Sequence, residues 1–528
     1  VTRTALSHGR RRAPLAAVAV LVLLAARGAG AIEIGAANLL ELRAGADPDD
    51  ARAASDRFTR FEQLDLDALH GPVRLGFRFE SFAATDDTTS RFHYDRFVRR
   101  FATFSSSGLE ITAGNYEALF GRGILLRAFQ LPGVVREELG TPQFGDLRDL
   151  DGVRVRGFGA RWEAMFVHGR PRYSDQEPTE RRFGTVHGAT AAVEPLTGVR
   201  AGANYLRIEP QLPVIDPTQD PRPEGGGVFV GGDWDAWLEK IGLGRLGLST
   251  FAEYARVHRL GLPPSLGSPE ARTNEGYGLY VSQSAILRDL LPDLVWGTSY
   301  EYKDYQNLAL GVNEPPTAVR EHGYALLNRT THVVELQQER GWQVESRFAY
   351  RRAAEVVLEL SRAENAGSDR FREAYLEVTG RTRGVAATAF AAQQQDESVA
   401  VHDRDTVGFA AQVPLGTGHG LELDLERQEV RRRAGALEDT NEDRYASLLW
   451  SWAGRLSLAV VRQTTDDRAE TRAGRRAYDS LTASIPIGSQ HEAALFWGRR
   501  RSGLACTSGT CYKVRAFEGV AARLASRF

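Results

Sequence analysis

The chain has 528 residues, a formal net charge of −2, 42% hydrophobic residues and only two cysteines. So small a charge on so long a chain gives no basis for a nucleic-acid partner. No run after residue 31 approaches eighteen consecutive apolar residues, which excludes membrane-spanning helices there but not strands that present every second residue to lipid.

Residues 1–31 read as a secretory signal peptide. Arg3, Arg10, Arg11 and Arg12 form a basic start, Pro14 to Ala26 an apolar stretch, and Ala29-Gly30-Ala31 a small-x-small cleavage site. Its removal takes away five arginines and no acid, leaving residues 32–528 with a charge of −7. That remainder has no long Pro/Ser-rich tract, no block of like charge and no break in composition, so a single domain is expected. Lysine occurs only at 240, 303 and 513.

A period of two recurs along the chain. Val73, Leu75, Phe77 and Phe79 interleave with Arg74, Gly76, Arg78 and Glu80; Leu421, Leu423 and Leu425 interleave with Glu422, Asp424 and Glu426. A helix would scatter these charges around every face, whereas a strand places them all on one.

The segment Tyr116 to Asp151 departs from that pattern. The strand Leu109 to Gly114 leads into a stretch containing Leu119, Phe120, Ile124 and Leu125, then both signs of charge, before Asp151 to Gly157 resumes as a strand. A long segment of this mixture is expected to pack in order and to carry function. In Gly114-Asn115-Tyr116-Glu117 and Asp151-Gly152-Val153-Arg154 the chain resembles general bacterial porins, in which a loop between two such strands folds into the barrel. Asn115 stands where those porins often carry Arg. The resemblance implies a constriction whose fixed charges select solutes, with candidates Arg122, Arg127, Arg136, Glu137, Glu138, Asp146, Arg148 and Asp149. The other reading makes these residues part of a solvated external loop. Arg154 and Arg156 are expected simply to line the wet face.

Further along, tight connections at Pro414–Gly418, Ala453-Gly454 and Ile487–Gln490 alternate with long charged ones at Arg431–Glu442 and Thr464–Arg475. Short periplasmic turns alternating with long external loops mark an up-and-down transmembrane barrel. The tight turns lie about 36 residues apart, two strands to the interval, which gives roughly 20 to 26 strands after the long inserts near 115–150, 209–226, 258–275 and 305–325 are allowed for. That exceeds the sixteen or eighteen usual in porins. A lumen of this size is not filled by its own strand side chains.

Cys506 and Cys511 flank a Gly-containing loop on the external side and are expected to form a local disulfide; a zinc site is the alternative, although no His lies nearby. Tyr512 to Phe528 reads as the last strand, apolar on one face from Val520 onward. It resembles the closing strand of bacterial outer-membrane barrels, which ends on Phe and is recognised by the barrel-assembly machinery, so Phe528 is the expected assembly residue. His187, His258, His322, His332, His402 and His491 occur singly, without a helix-spaced pair or a Gly-x-Ser-x-Gly turn, and there is no Gly-rich phosphate loop.

The sequence therefore predicts an all-β, outer-membrane, up-and-down antiparallel barrel with an inward-folding loop near 116–150. Its expected partners are outer-membrane lipid and small hydrophilic solutes, with no cofactor, metal or catalytic residue assigned. The expected function is passive diffusion. The alternatives are a structural, ligand-binding or adhesive barrel with a closed lumen and, further off, an outer-membrane hydrolase.

Overall fold

A computed structural model describes residues 32–46, 57–85, 93–129, 147–173, 184–209, 223–259, 275–328, 332, 334, 336–365, 370–397, 401–434, 437–468, 477–507, 510–514 and 516–528. The expected signal peptide, 1–31, lies outside the described residues.

Twenty-four strands of 8 to 17 residues form one antiparallel sheet, each bonded to its neighbours in sequence. The first strand, Glu33–Ala46, pairs with the last, Phe517–Arg527, from Ala37 opposite Arg527 to Ala46 opposite Glu518. That pairing closes the sheet and removes its free edges, the requirement for a backbone that crosses lipid. The count falls within the range anticipated from turn spacing, and being even it lets all neighbours run antiparallel.

The alternation in sequence becomes an apolar outer face and a polar inner one. On the strand Ala354–Asn365, Leu358 and Leu360 are 44% and 52% exposed, while Glu359 and Ser361 between them are 1% and 3% exposed. Leu376 and Val378, Val407 and Phe409, and Val228 and Val230 repeat the outward set on other strands. So large a surface of aliphatic and aromatic side chains matches a lipid-facing belt.

At the end of the barrel where Glu33 lies, connections are short, as at 71–72, 107–108, 160–161, 383–384 and 488–490. Two features differ from expectation. The charged stretch 431–442 is not a long loop: strands His419–Ala434 and Leu437–Trp452 stay paired up to Ala434 opposite Leu437. Cross-strand ion pairs, Arg431 with Asp405, Arg433 with Asp403 and Arg427 with Glu442, support a ladder that continues past the apolar belt. The final strand also starts later than its alternation suggested. Tyr512 to Val514 belong to a separate hairpin, Gly503–Thr507 with Thr510–Val514, and barrel pairing resumes with Phe517 opposite Arg500.

Candidate functional site

The first inward segment begins where the strand Leu109–Tyr116 ends. Residues 118–119 pair with 127–128 as a small hairpin, closed by Phe120 N–H donating to the Leu126 carbonyl at 3.1 Å. Apolar residues form its inner surface: Phe120, Ile124, Leu125 and Leu126 are fully buried against Val167, Val186, Leu206 and Val257 of the wall. Water-filled space would not hold these side chains, so the sequence Ile-Leu-Leu drives the segment onto the barrel's inner face.

Glu253 anchors the turn. Its carboxylate accepts the Arg122 backbone N–H at 2.6 Å and the Asn204 side-chain amide at 3.1 Å. Gly121 is required there for two reasons. It sits at φ +53°, in the left-handed region, and a Cβ would lie 2.3 Å from the Glu253 oxygens. Arg154 secures the start of the segment by donating to the Glu117 carbonyl at 2.8 Å.

A second inward segment, between the strands Leu294–Gln306 and Gln338–Tyr350, was counted in the sequence only as an insert. Leu308, Leu310 and Val312 join the apolar cluster of the first segment. The two segments bond to each other: Arg127 N–H to the Val312 carbonyl at 3.0 Å, Glu314 N–H to the Gly123 carbonyl at 3.2 Å, and the Asn313 amide to the Ile124 carbonyl at 2.9 Å.

From there the second segment runs along an acidic stretch of wall. Lys303, fully buried, bonds Glu339 and the Thr317 carbonyl. Arg320 pairs with Glu345, and His322 bonds Glu373. Tyr324 donates to Glu377 at 2.9 Å while its ring stacks on Phe390. Burial, reinforced by the Glu377 carboxylate, raises the Tyr324 hydroxyl above its ordinary value, so it remains a donor. The helical turn Ala325–Asn328 ends the run, its Ala325 and Leu326 N–H groups donating to Glu426 at 2.7 and 2.8 Å. Apart from Lys303, which is a wall cation, the wall supplies carboxylates here and the segment supplies donors and cations.

Between the two segments lies a cavity of about 690 Å³. Glu117, Arg122 and Arg127 border it from the first segment, Pro316–Val319 and Glu321 from the second, and Tyr280 and Glu301 from the wall. Arg127 reaches Glu314 at 3.6 Å, and the Arg122 guanidinium lies 5.0 Å above the Phe251 ring.

Of the residues singled out in the sequence, Arg122 and Arg127 thus border this cavity. Arg148 and Asp149 do not. They sit at the start of the strand Leu147–Gly159, where Arg148 faces Glu80 at 3.4 Å and buried Asp149 is held by Arg172 and by the Asn115 amide at 3.1 Å. Asn115, at the position where Arg is common in porins, therefore fixes a wall carboxylate. Arg136, Glu137, Glu138 and Asp146 lie outside the described residues, as do the side chains of Cys506 and Cys511. Sequence reasoning missed Glu117, Glu301 and Glu321. The available signal was the second insert itself, whose Leu308, Leu310, Val312, Leu326 and Leu327 are out of place in a solvated loop.

No known protein-family profile matches the sequence, and no curated protein matches it. Among solved structures, the chain is similar to the siderophore receptor PirA from Pseudomonas aeruginosa, at 11% identity and a TM-score of 0.46, over 95% of this chain and 81% of that one. It is also similar to the translocation pore of the P pilus usher PapC, at 10% identity and a TM-score of 0.44, over 94% and 99% of the two chains. OccK3 (OpdO) from Pseudomonas aeruginosa gives 12% identity and a TM-score of 0.40, over 76% and 95%. With its closed antiparallel sheet, apolar outer face and polar inner face, the chain has the fold of a bacterial outer-membrane β-barrel.

Proposed function

We propose that this protein is exported by residues 1–31, resides in the outer membrane, and conducts small hydrophilic solutes passively through a path narrowed by its two inward segments. The observation that carries this reading is the charged cavity between them. An apolar plug sealed on all sides would leave no space bordered by charged side chains of the inward segments. Here Arg122 and Arg127, the latter also paired with Glu314, border a space shared with Glu117, Glu301 and Glu321. Fixed charges of both signs around a narrow aqueous space impose a transverse field and sort solutes by charge and size.

Single-channel recording in a planar bilayer tests this. The expected record is stable current steps whose ion preference moves toward cations when Arg122 and Arg127 are both replaced by Gln, since two positive charges leave the path. A folded barrel that passes no current would favour the closed-lumen, ligand-binding reading instead.

A further inference from the structure

Glu359 is a buried carboxylate that the pore reading does not use. It points inward from the strand Ala354–Asn365, 1% exposed; the Arg320 backbone N–H is turned toward it, but neither of its oxygens has a close hydrogen-bond partner among the described residues. Leaving such a group bare is costly, because a buried carboxylate needs either hydrogen bonds or a counter-charge. On the adjacent strand, Arg370–Thr382, Glu373 is also buried. His322 of the second inward segment meets both: its Nε2 bonds Glu373 Oε1 and lies 3.7 Å from Glu359 Oε2. One ligand-capable atom from each of the three residues falls within 4.8 Å of the other two.

The surroundings orient this trio without neutralising it. The Gln394 amide donates to the second Glu373 oxygen at 3.1 Å, and the Tyr375 ring lies against the His322 imidazole with centroids 4.0 Å apart. Such outer contacts fix ligand direction in metal sites. Arg320 is the cation whose field reaches Glu359, but its guanidinium is paired with Glu345. Two carboxylates and one imidazole thus turn toward a common point, a donor set that a divalent cation completes.

We propose that His322, Glu359 and Glu373 form a binding site for a divalent first-row transition cation. One imidazole nitrogen with two carboxylate oxygens suits zinc, manganese or ferrous iron, and three protein ligands leave a coordination position open. Calcium is disfavoured, since it takes six to eight oxygen ligands. The cation ties the second inward segment to two neighbouring wall strands. Residues 316–319 and 321 of that segment border the cavity, so occupancy fixes one side of it.

The experiment uses the full chain in detergent, stripped with a chelator and titrated with Zn²⁺ by calorimetry, with Co²⁺ absorption as a second reading. One saturating equivalent is expected, weakened at least about tenfold in Glu359→Gln and in His322→Asn. His187→Asn is the control, because His168 and His187 form a separate imidazole pair with their Nδ1 atoms 3.1 Å apart. Variants are compared only when they retain barrel migration on an unboiled gel, and Glu359→Gln, which keeps the side-chain shape, covers the case in which His322→Asn does not fold. No saturable binding to the parent chain would overturn the proposal. So would binding that Glu359→Gln retains, or that only His187→Asn removes. Binding is read without conduction, so its failure leaves the pore reading untouched, and a silent pore leaves the cation site untouched.

Discussion

Single residues decide where the inward segments sit, and Gly121 is the sharpest case. Alanine there must adopt a left-handed backbone, a cost of about 1–2 kcal/mol. It must also displace the Glu253 carboxylate from the Arg122 N–H, a further ~1–3 kcal/mol if that donor stays buried. Gly121→Ala is therefore expected to raise hydrogen exchange across residues 118–128 by at least about tenfold, while the unboiled protein still migrates as a barrel. Unchanged exchange would show that the Glu253 anchor is not what holds the turn. At this scale the sequence was only partly legible. Arg122 and Arg127 could be picked out because they lie in a segment that breaks the strand period. Glu301, Glu359 and Glu373 could not, because each looks like any other inward residue of an alternating strand. Their importance comes from what folds against them, and His322 meets Glu373 from 51 residues away.

At the scale of elements, the rhythm of short and long connections was readable because turn chemistry is local. Gly416, Gly418, Gly454 and Gly488 all take positive φ in the tight turns. Whether a long connection folds in or out is not local. It depends on whether the inner wall offers an apolar patch or unmet carboxylates, as it does for both inward segments. The charged hairpin at 431–442 was misread for a related reason: charge suggested solvent, yet paired charges on adjacent strands extend a ladder. The cysteine hairpin makes a separate prediction. Its backbone register sets Cys506 directly opposite Cys511, so a disulfide between them is the proposed staple of this external connection, expected to close a short loop. A non-reducing peptide map should recover the two cysteines in one linked fragment; two freely alkylated thiols would refute the staple.

For the whole molecule, the fold class followed from the alternation, the absence of long apolar runs and the closing strand. Those signals are repeated along the entire chain, so an error at one strand changes little. The exact strand number needed the structure, since inserts at 117–146 and 307–337 consume residues without adding barrel strands. Residues 117–129 and 307–328 of those inserts lie against the inner wall, and their mutual hydrogen bonds make them one inward unit instead of two independent loops. The central proposal is that this unit narrows an open path. It is tested most directly by swelling of liposomes containing the purified barrel, across a series of neutral sugars of increasing size. The account predicts rapid entry of the smallest sugars, a sharp cutoff, and a cutoff shifted to larger sugars when residues 309–327 are replaced by a short Gly/Ser link. Swelling no faster than that of protein-free liposomes, for both the parent and the shortened chain, would contradict it.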